Sequence, residues 1–182
     1  MLDDRLIKLT RAIAGYDADL RLHCYQTAGY VSKVASKMGL CKKHCDELYD
    51  AALIHDIGKT LINPKVLAQN GPLSTVEREF VDLHAYFGYE LLRTNDFPES
   101  ICQIVLFHHG TCKERFGIIP NPSADILRMG DILRCCDIFD ALTSKRSYHD
   151  AIENEVAFEI LKKTDIPIDV LEAMEKAVSR KK

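Results

Sequence analysis

The chain has 182 residues, 47% of them hydrophobic, with a formal net charge of −3 and a sequence pI near 6.2. That suffices for one domain with a buried core, and the acidic balance excludes a DNA- or RNA-binding surface, since the sole basic cluster is Arg180-Lys181-Lys182 at the end. No apolar run approaches the roughly 20 residues of a membrane span, and Met1 to Arg5 lack the basic start and apolar core of a secretory signal, so a cytoplasmic protein is expected.

Leu2, Leu6, Leu9 and Ile13 recur at helical spacing and stop at Gly15, which predicts an amphipathic helix over 2–14 packed on the rest of the chain. After Gly15-Tyr16-Asp17 a second helix runs to about Met38-Gly39, and its inner stripe, His23, Thr27, Tyr30, Val31 and Val34, contains a histidine. A third, from about Lys43 to Ile57, leads through Leu48, Ala51 and Ala52 into His55 and Asp56, with Lys59 following on the same face. From Lys59 to Ser74, Asn63-Pro64 and Asn70-Gly71-Pro72 read as a loop with turns.

Ser74 and Glu77 form a capping box that opens a helix to about Arg93, along which Phe80, His84, Phe87, Gly88 and Leu91 share a face. Pro98 is placed as the first residue of the next helix, where Ile101, Val105 and His108 align with His109 adjacent, and Gly110 ends it. Residues 111–122 are irregular. Ser123 then caps a helix that runs to about Thr143, apolar on most sides and interrupted by Asp131, Asp137 and Asp140. Two further helices, over about 154–163 and 168–179, close the chain. No segment sustains period-two alternation, so the expected fold is all-α, a single bundle-like domain.

Seven cysteines (Cys24, Cys41, Cys45, Cys102, Cys112, Cys135 and Cys136) form an odd set without a Cys-x-x-Cys pair. Cys41, His44 and Cys45 together are one ligand short of a closed structural zinc site. Reduced thiols acting as small hydrophobes fit better.

The same anomaly recurs on five successive helices: His23, then His55 and Asp56, then His84, then His108 and His109, then Asp137. Taken singly, each histidine reads as readily as a core residue bonded to backbone. Together, directed into one bundle interior, they stack more polar groups than a marginally stable fold carries without a common ligand. Five imidazoles and two carboxylates exceed the needs of one zinc ion. They suit two divalent ions sharing a bridging carboxylate, with iron or manganese favoured by the nitrogen and oxygen mix and zinc also compatible. Such a pair is competent to hydrolyse a phosphoester. Lys59 would then place a point charge near the phosphate oxygens. Arg146 suits a second, bidentate phosphate contact, although from spacing alone a solvated surface arginine fits as well.

The motifs resemble the HD superfamily of metal-dependent phosphohydrolases, and within it the HD-GYP family of cyclic di-GMP phosphodiesterases. The resemblance is carried by His55-Asp56-Ile57-Gly58-Lys59, Asn63-Pro64-Lys65-Val66-Leu67, Gly71-Pro72-Leu73-Ser74, His84 with Gly88-Tyr89-Glu90-Leu91-Leu92, His108-His109, and Asp137 to Ser144 with Arg146 and Tyr148. It extends over about residues 20–175 and implies an HD-domain helical bundle whose metal ligands are His23, His55, Asp56, His84, His108, His109 and Asp137. It also implies that Asp56 or Asp137 bridges the ions, that Asp56 and Lys59 serve catalysis, and that Lys59 and Arg146 contact substrate phosphates. The ions of this family are typically iron or manganese.

Two departures qualify the resemblance. Asp19 stands where some members carry a glutamate that recruits a third ion, and it is shorter by one methylene, so two ions are expected rather than three. After the paired histidines the family has a glutamate and then an Asp-Gly-x-Gly-Tyr-Pro loop, whereas this chain reads Gly110-Thr111-Cys112-Lys113-Glu114-Arg115-Phe116-Gly117-Ile118-Ile119-Pro120. Phe116 is the available stacking surface for a base, and His149 falls where the family often carries a basic phosphate-binding residue. The resemblance thus implies a phosphodiesterase acting on a cyclic dinucleotide, cyclic di-GMP first. The alternatives are an HD-type phosphohydrolase for another nucleotide or phosphomonoester, and a signalling module that binds a nucleotide or protein without turnover. The expected partner is a small nucleotide rather than DNA, RNA or a membrane, with a regulatory protein or a homodimer left open.

Overall fold

Asp17 ends one helix and starts the next: its amide donates to Ile13 O at 2.9 Å, and its carboxylate caps the amides of Asp19 and Leu20 at 2.7 and 3.0 Å. The helices it separates are α1 (Asp4–Tyr16) and α2 (Ala18–Lys37) in a computed structural model that describes residues 4–67, 74–110, 121–145 and 151–179. The described residues are helical, without a strand. The elements that follow are α3 (Lys42–Ile54), a 3-10 turn (Ile57–Leu61), α4 (Pro64–Leu67), α5 (Thr75–Asp82), α6 (His84–Thr94), α7 (Glu99–Phe107), α8 (Ala124–Thr143), α9 (Asn154–Leu161) and α10 (Ile168–Val178).

Most of the stripes read from periodicity face the core; the exception is the one through Phe80, which is 43% exposed on a helix α5 that buries no residue, while α6 buries His84, Ala85, Gly88, Tyr89 and Leu92. Leu6 and Ile13 of α1 are buried, and α1 rests on α2, α3 and the 3-10 turn. On α2 the buried face is His23, Cys24, Thr27, Ala28, Val31, Val34 and Ala35, and α2 packs against α3, α8 and α10. Helix α8 lies between α2 and α7, and this explains why it is apolar on most sides. The buried thiols Cys102 and Cys135 behave as hydrophobes, burial pushing them up to about 11 and about 12. Cys41 is exposed, Cys45 donates to Leu40 O, and no metal-competent group forms there among the described residues.

Four boundaries differ from the sequence reading, and two of them place the site. The first helix runs through Gly15 to Tyr16 instead of stopping at 14, and it is Asp17 that ends it. The third helix ends at Ile54 rather than Ile57, because the chain tightens after His55 into the 3-10 turn. That turn can tighten only because Gly58 has no side chain: a Cβ there would lie 2.0 Å from His84 O and 2.6 Å from Gly88 N. The helix expected from Ser74 to Arg93 breaks at Leu83 into α5 and α6, although the Ser74–Glu77 capping box is present as expected. Pro98 precedes α7 as its cap instead of opening it as a helical residue. Within the expected loop after Lys59, Pro64–Leu67 forms the short α4.

Candidate metal centre

Helix ends build this centre. A helix C-terminus leaves carbonyls without amide partners, and three histidines fill that role with their ring Nδ1. His55, just beyond α3, donates to Ala52 O at 2.9 Å. His84, at the α5–α6 break, donates to Val81 O at 2.6 Å, and His108, just beyond α7, donates to Val105 O at 2.6 Å. A carbonyl cannot donate, so each Nδ1 carries a proton, and each Nε2 presents a lone pair whenever its ring is neutral. The fourth ring, His23 of α2, is turned the same way by a different partner, Asp140 Oδ2 of α8, 2.6 Å from Nδ1. All four aim Nε2 into one interior space, where His23, His55, Asp56, His84 and His108 are at most 3% exposed.

The donor atoms fall into two groups. In one, His84 Nε2 lies 3.3 Å from His108 Nε2 and 3.1 Å from His109 Nε2. In the other, His23 Nε2 is 2.8 Å and His55 Nε2 3.7 Å from Asp137 Oδ1. Asp56 stands between them. Its Oδ1 is 3.2 Å from His84 Nε2, while its Oδ2 is 3.5 Å from His55 Nε2, 3.9 Å from His23 Nε2 and 2.7 Å from Lys59 Nζ. Of the buried polar side-chain atoms, His55 Nε2 and Asp56 Oδ1 have no hydrogen-bond partner among the described residues. A third cluster adds a thiol: Cys24, His55 and Asp56 each place one donor atom within 4.8 Å of the others.

These residues fit divalent cations. Ligand atoms about 2.1 Å from a common ion lie roughly 3.0–3.4 Å apart, which is the spacing of the three Nε2 atoms around His84. Orphaned buried donors cost free energy unless an electrophile satisfies them.

In the metal-free protein the electrostatics set which of these groups hold protons that an entering ion displaces. Burial disfavours the charged form of Asp56, yet Lys59 and His55 outweigh it and hold the carboxyl well below its ordinary range. Asp137 is held low in the same manner by His23 and His55. Burial would lower His55, but Asp56 and the neighbouring Cys24 raise it well above the ordinary imidazole value. Lys59 also stays charged: Asp56 and Asp137 override its burial. His108, by contrast, is pushed well down by burial and by His109. His109, whose outer edge meets solvent, is lowered to about 4 by burial and by His84.

All seven residues proposed as ligands from the sequence are therefore brought together. Lys59 sits at the rim with 23% of its side chain exposed. Asp19 is exposed in the first turn of α2 and belongs to none of the ligand clusters found among the described residues. Arg146, Phe116 and His149 lie outside the described residues. Asp140 was missed: it is fully buried, pairs with His23, and accepts from Ser144 Oγ at 2.9 Å. Its spacing of three residues from Asp137 on α8 was the available signal, since both then share a face.

A family model described as HD domain matches residues 2–169. The chain is 28% identical over 151 residues to the 3'3'-cGAMP-specific phosphodiesterase 2 of Vibrio cholerae, covering 81% of this chain and 28% of that protein. It is 30% identical over 164 residues to the cyclic di-GMP phosphodiesterase response regulator RpfG of Xanthomonas campestris pv. campestris, covering 87% and 42%. Against a cyclic di-GMP phosphodiesterase of Thermotoga maritima the identity is 29% over 148 residues, covering 78% and 39%. The chain thus spans less than half the length of each of these curated relatives. In fold it matches the HD domain of the L. monocytogenes phosphodiesterase PgpH, with a TM-score of 0.68 at 22% identity over 93% of this chain and 94% of that one. No helix among the described residues is long and apolar enough to cross a membrane.

Proposed function

The chain belongs to the HD domain family, and from that premise we propose that it is a metal-dependent phosphodiesterase acting on a cyclic dinucleotide, with cyclic di-GMP the first candidate. The observation that carries this reading is the position of Asp56, whose two oxygens face the two groups of histidines from opposite sides. His84, His108 and His109 would hold one ion, and His23, His55 and Asp137 the other, with Asp56 shared between them. Iron or manganese suits this donor set, and zinc is compatible with it. Two ions so held supply an activated water and positive charge for an in-line displacement at phosphorus.

The chain's own groups do the rest. Lys59 remains an ammonium because Asp56 and Asp137 outweigh its burial, and its exposed fraction lets it meet a non-bridging phosphate oxygen. Asp140 fixes the tautomer and orientation of His23. Arg146 and His149 are proposed as further phosphate contacts and Phe116 as the stacking surface for a base, on the family resemblance alone. The relatives named above divide between cyclic di-GMP and 3'3'-cGAMP, and the altered Gly110–Pro120 segment is where this chain's choice would be made.

The test is anaerobic purification, elemental analysis and a turnover assay on one sample, with cyclic di-GMP, 3'3'-cGAMP and cyclic di-AMP offered in parallel and His84→Ala as control. About two ions per chain with turnover of one of them, both lost in the variant, is the expected result. Full metal content with no dinucleotide cleaved would sink the phosphodiesterase reading and leave a binding module or another phosphohydrolase.

A further inference from the structure

Cys24 is unlike the other buried thiols. Cys102, Cys135 and Cys136 join no group of metal-competent side chains among the described residues, whereas Cys24, 1% exposed and also packed on the core, follows His23 directly and is part of one. Its donor atom, one from His55 and one from Asp56 all lie within 4.8 Å of one another. The other two residues of this group carry His55 Nε2 and Asp56 Oδ1, the buried side-chain polar atoms left without hydrogen-bond partners among the described residues. A small hydrophobe requires no such company.

We propose that Cys24 is a thiolate ligand to the ion held at the His55–Asp56 corner, giving that half of the centre a sulfur donor beside nitrogen and oxygen. The inference rests on the metal-site reading above and assigns a residue which that reading leaves out. Ligation replaces the S–H bond with a sulfur–metal bond, and the proton leaves to bulk water as the ion enters. A sulfur donor biases the corner toward borderline and softer ions, zinc, cobalt and ferrous iron, over manganese and magnesium. The two halves of the centre then differ in kind: one is three imidazoles, and the other carries sulfur. The sulfur also makes that half open to thiol chemistry whenever the ion is absent.

Cobalt(II) supplies a readout independent of turnover, because a thiolate bound to it gives a charge-transfer band in the near ultraviolet. The 182-residue protein and the variants Cys24→Ser and Cys24→Ala are loaded with cobalt, and the band is expressed per bound ion, so that weaker uptake does not mimic loss of the ligand. The expected result is a band in the parent that is absent from both variants. Any contribution from exposed Cys41 persists in all three and subtracts out. Cobalt and zinc affinity should fall by about tenfold or more in Cys24→Ala, with manganese affinity changed less than about threefold. Equal bands per cobalt in all three proteins, with about two ions bound, would overturn the thiolate assignment and leave the dinuclear reading standing. A parent protein that takes up no cobalt, zinc, iron or manganese would overturn both.

Discussion

The Nε2 atoms of His84 and His108 face each other at 3.3 Å, each with its own Nδ1 committed to a backbone carbonyl. Neither ring has a proton to offer the other in its neutral form, so two lone pairs meet inside a buried space. This arrangement is unfavourable in the metal-free protein and favourable around a cation. His84→Ala is therefore expected to leave the metal-free protein as stable as the parent, or more so, while removing the gain on metal addition. In the parent, an ion at a hundredfold excess over its Kd adds about 2.7 kcal/mol, or roughly 5–10 °C in Tm. Thermal melts with and without manganese decide it, and a variant that still gains the full shift would show that His84 is not a ligand.

Gly58 is the point where the 3-10 turn is pressed onto α6. A methyl group 2.0 Å from His84 O meets backbone, which cannot rotate away, so Gly58→Ala must push the turn off the helix. The expected cost is about 3 kcal/mol or more, together with lost metal content, because His55 and Asp56 move away from His84. Urea denaturation and elemental analysis of the variant measure both. A change under about 0.5 kcal/mol would show that the turn yields freely.

These two residues also show what the sequence disclosed and what it withheld. The histidines were legible because each breaks an apolar stripe at helical spacing, and stripe position survives errors of a few residues in helix length. The role of Gly58 was not legible, since nothing local says that a carbonyl of α6 will lie against it. The early end of α3 and the break at Leu83 were hidden for a related reason. The histidine side chains take carbonyls there, and periodicity does not register a competition between ring and amide. Asp140 was hidden by α8 itself, which is apolar on most sides and so gives no inward face against which a carboxylate stands out. Its role depends on α2 packing across α8, a contact between residues 117 positions apart.

Asp140 gives a prediction that separates orientation from charge. Its carboxylate holds His23 Nδ1 at 2.6 Å while Asp137 faces Nε2 at 2.8 Å. Asp140→Asn keeps an oxygen able to accept from Nδ1 but removes the charge that makes the ring a stronger donor. Metal affinity is expected to fall by roughly 10–100-fold with the fold retained. Asp140→Leu, which offers no acceptor at all, should fall further and also lose stability, because His23 is then buried with a broken bond. Metal titrations and circular dichroism of the two variants test this, and parent-like affinity in both would remove Asp140 from the site.

The metal-free protein should show a stability maximum near neutral pH, with different groups setting its two sides. His109 has a folded pKa of about 4, below the ordinary imidazole value, and burial and His109 hold His108 well below that ordinary value too. As pH falls through about 6.5 the unfolded chain takes up protons that these rings refuse, so stability drops progressively toward pH 4. The exposed edge of His109 moderates its share. Asp56 and Asp137, held well below the carboxylate range, supply stability that is present above their unfolded values and is lost as pH falls through their folded ones, which extends the acid limb. His55 works in the opposite sense. Its folded pKa is raised well above the ordinary value by Asp56 and Cys24 against its burial, so its contribution is whole below about 6.5 and disappears as pH rises through the folded value. Urea midpoints measured from pH 4 to 9 on chelator-treated protein should therefore rise and then decline. His55→Gln should flatten the alkaline limb and leave the acid limb in place. A midpoint that climbs monotonically to pH 9 in the parent would show that His55 is neutral in the folded protein and that its proton is not among those displaced when an ion enters.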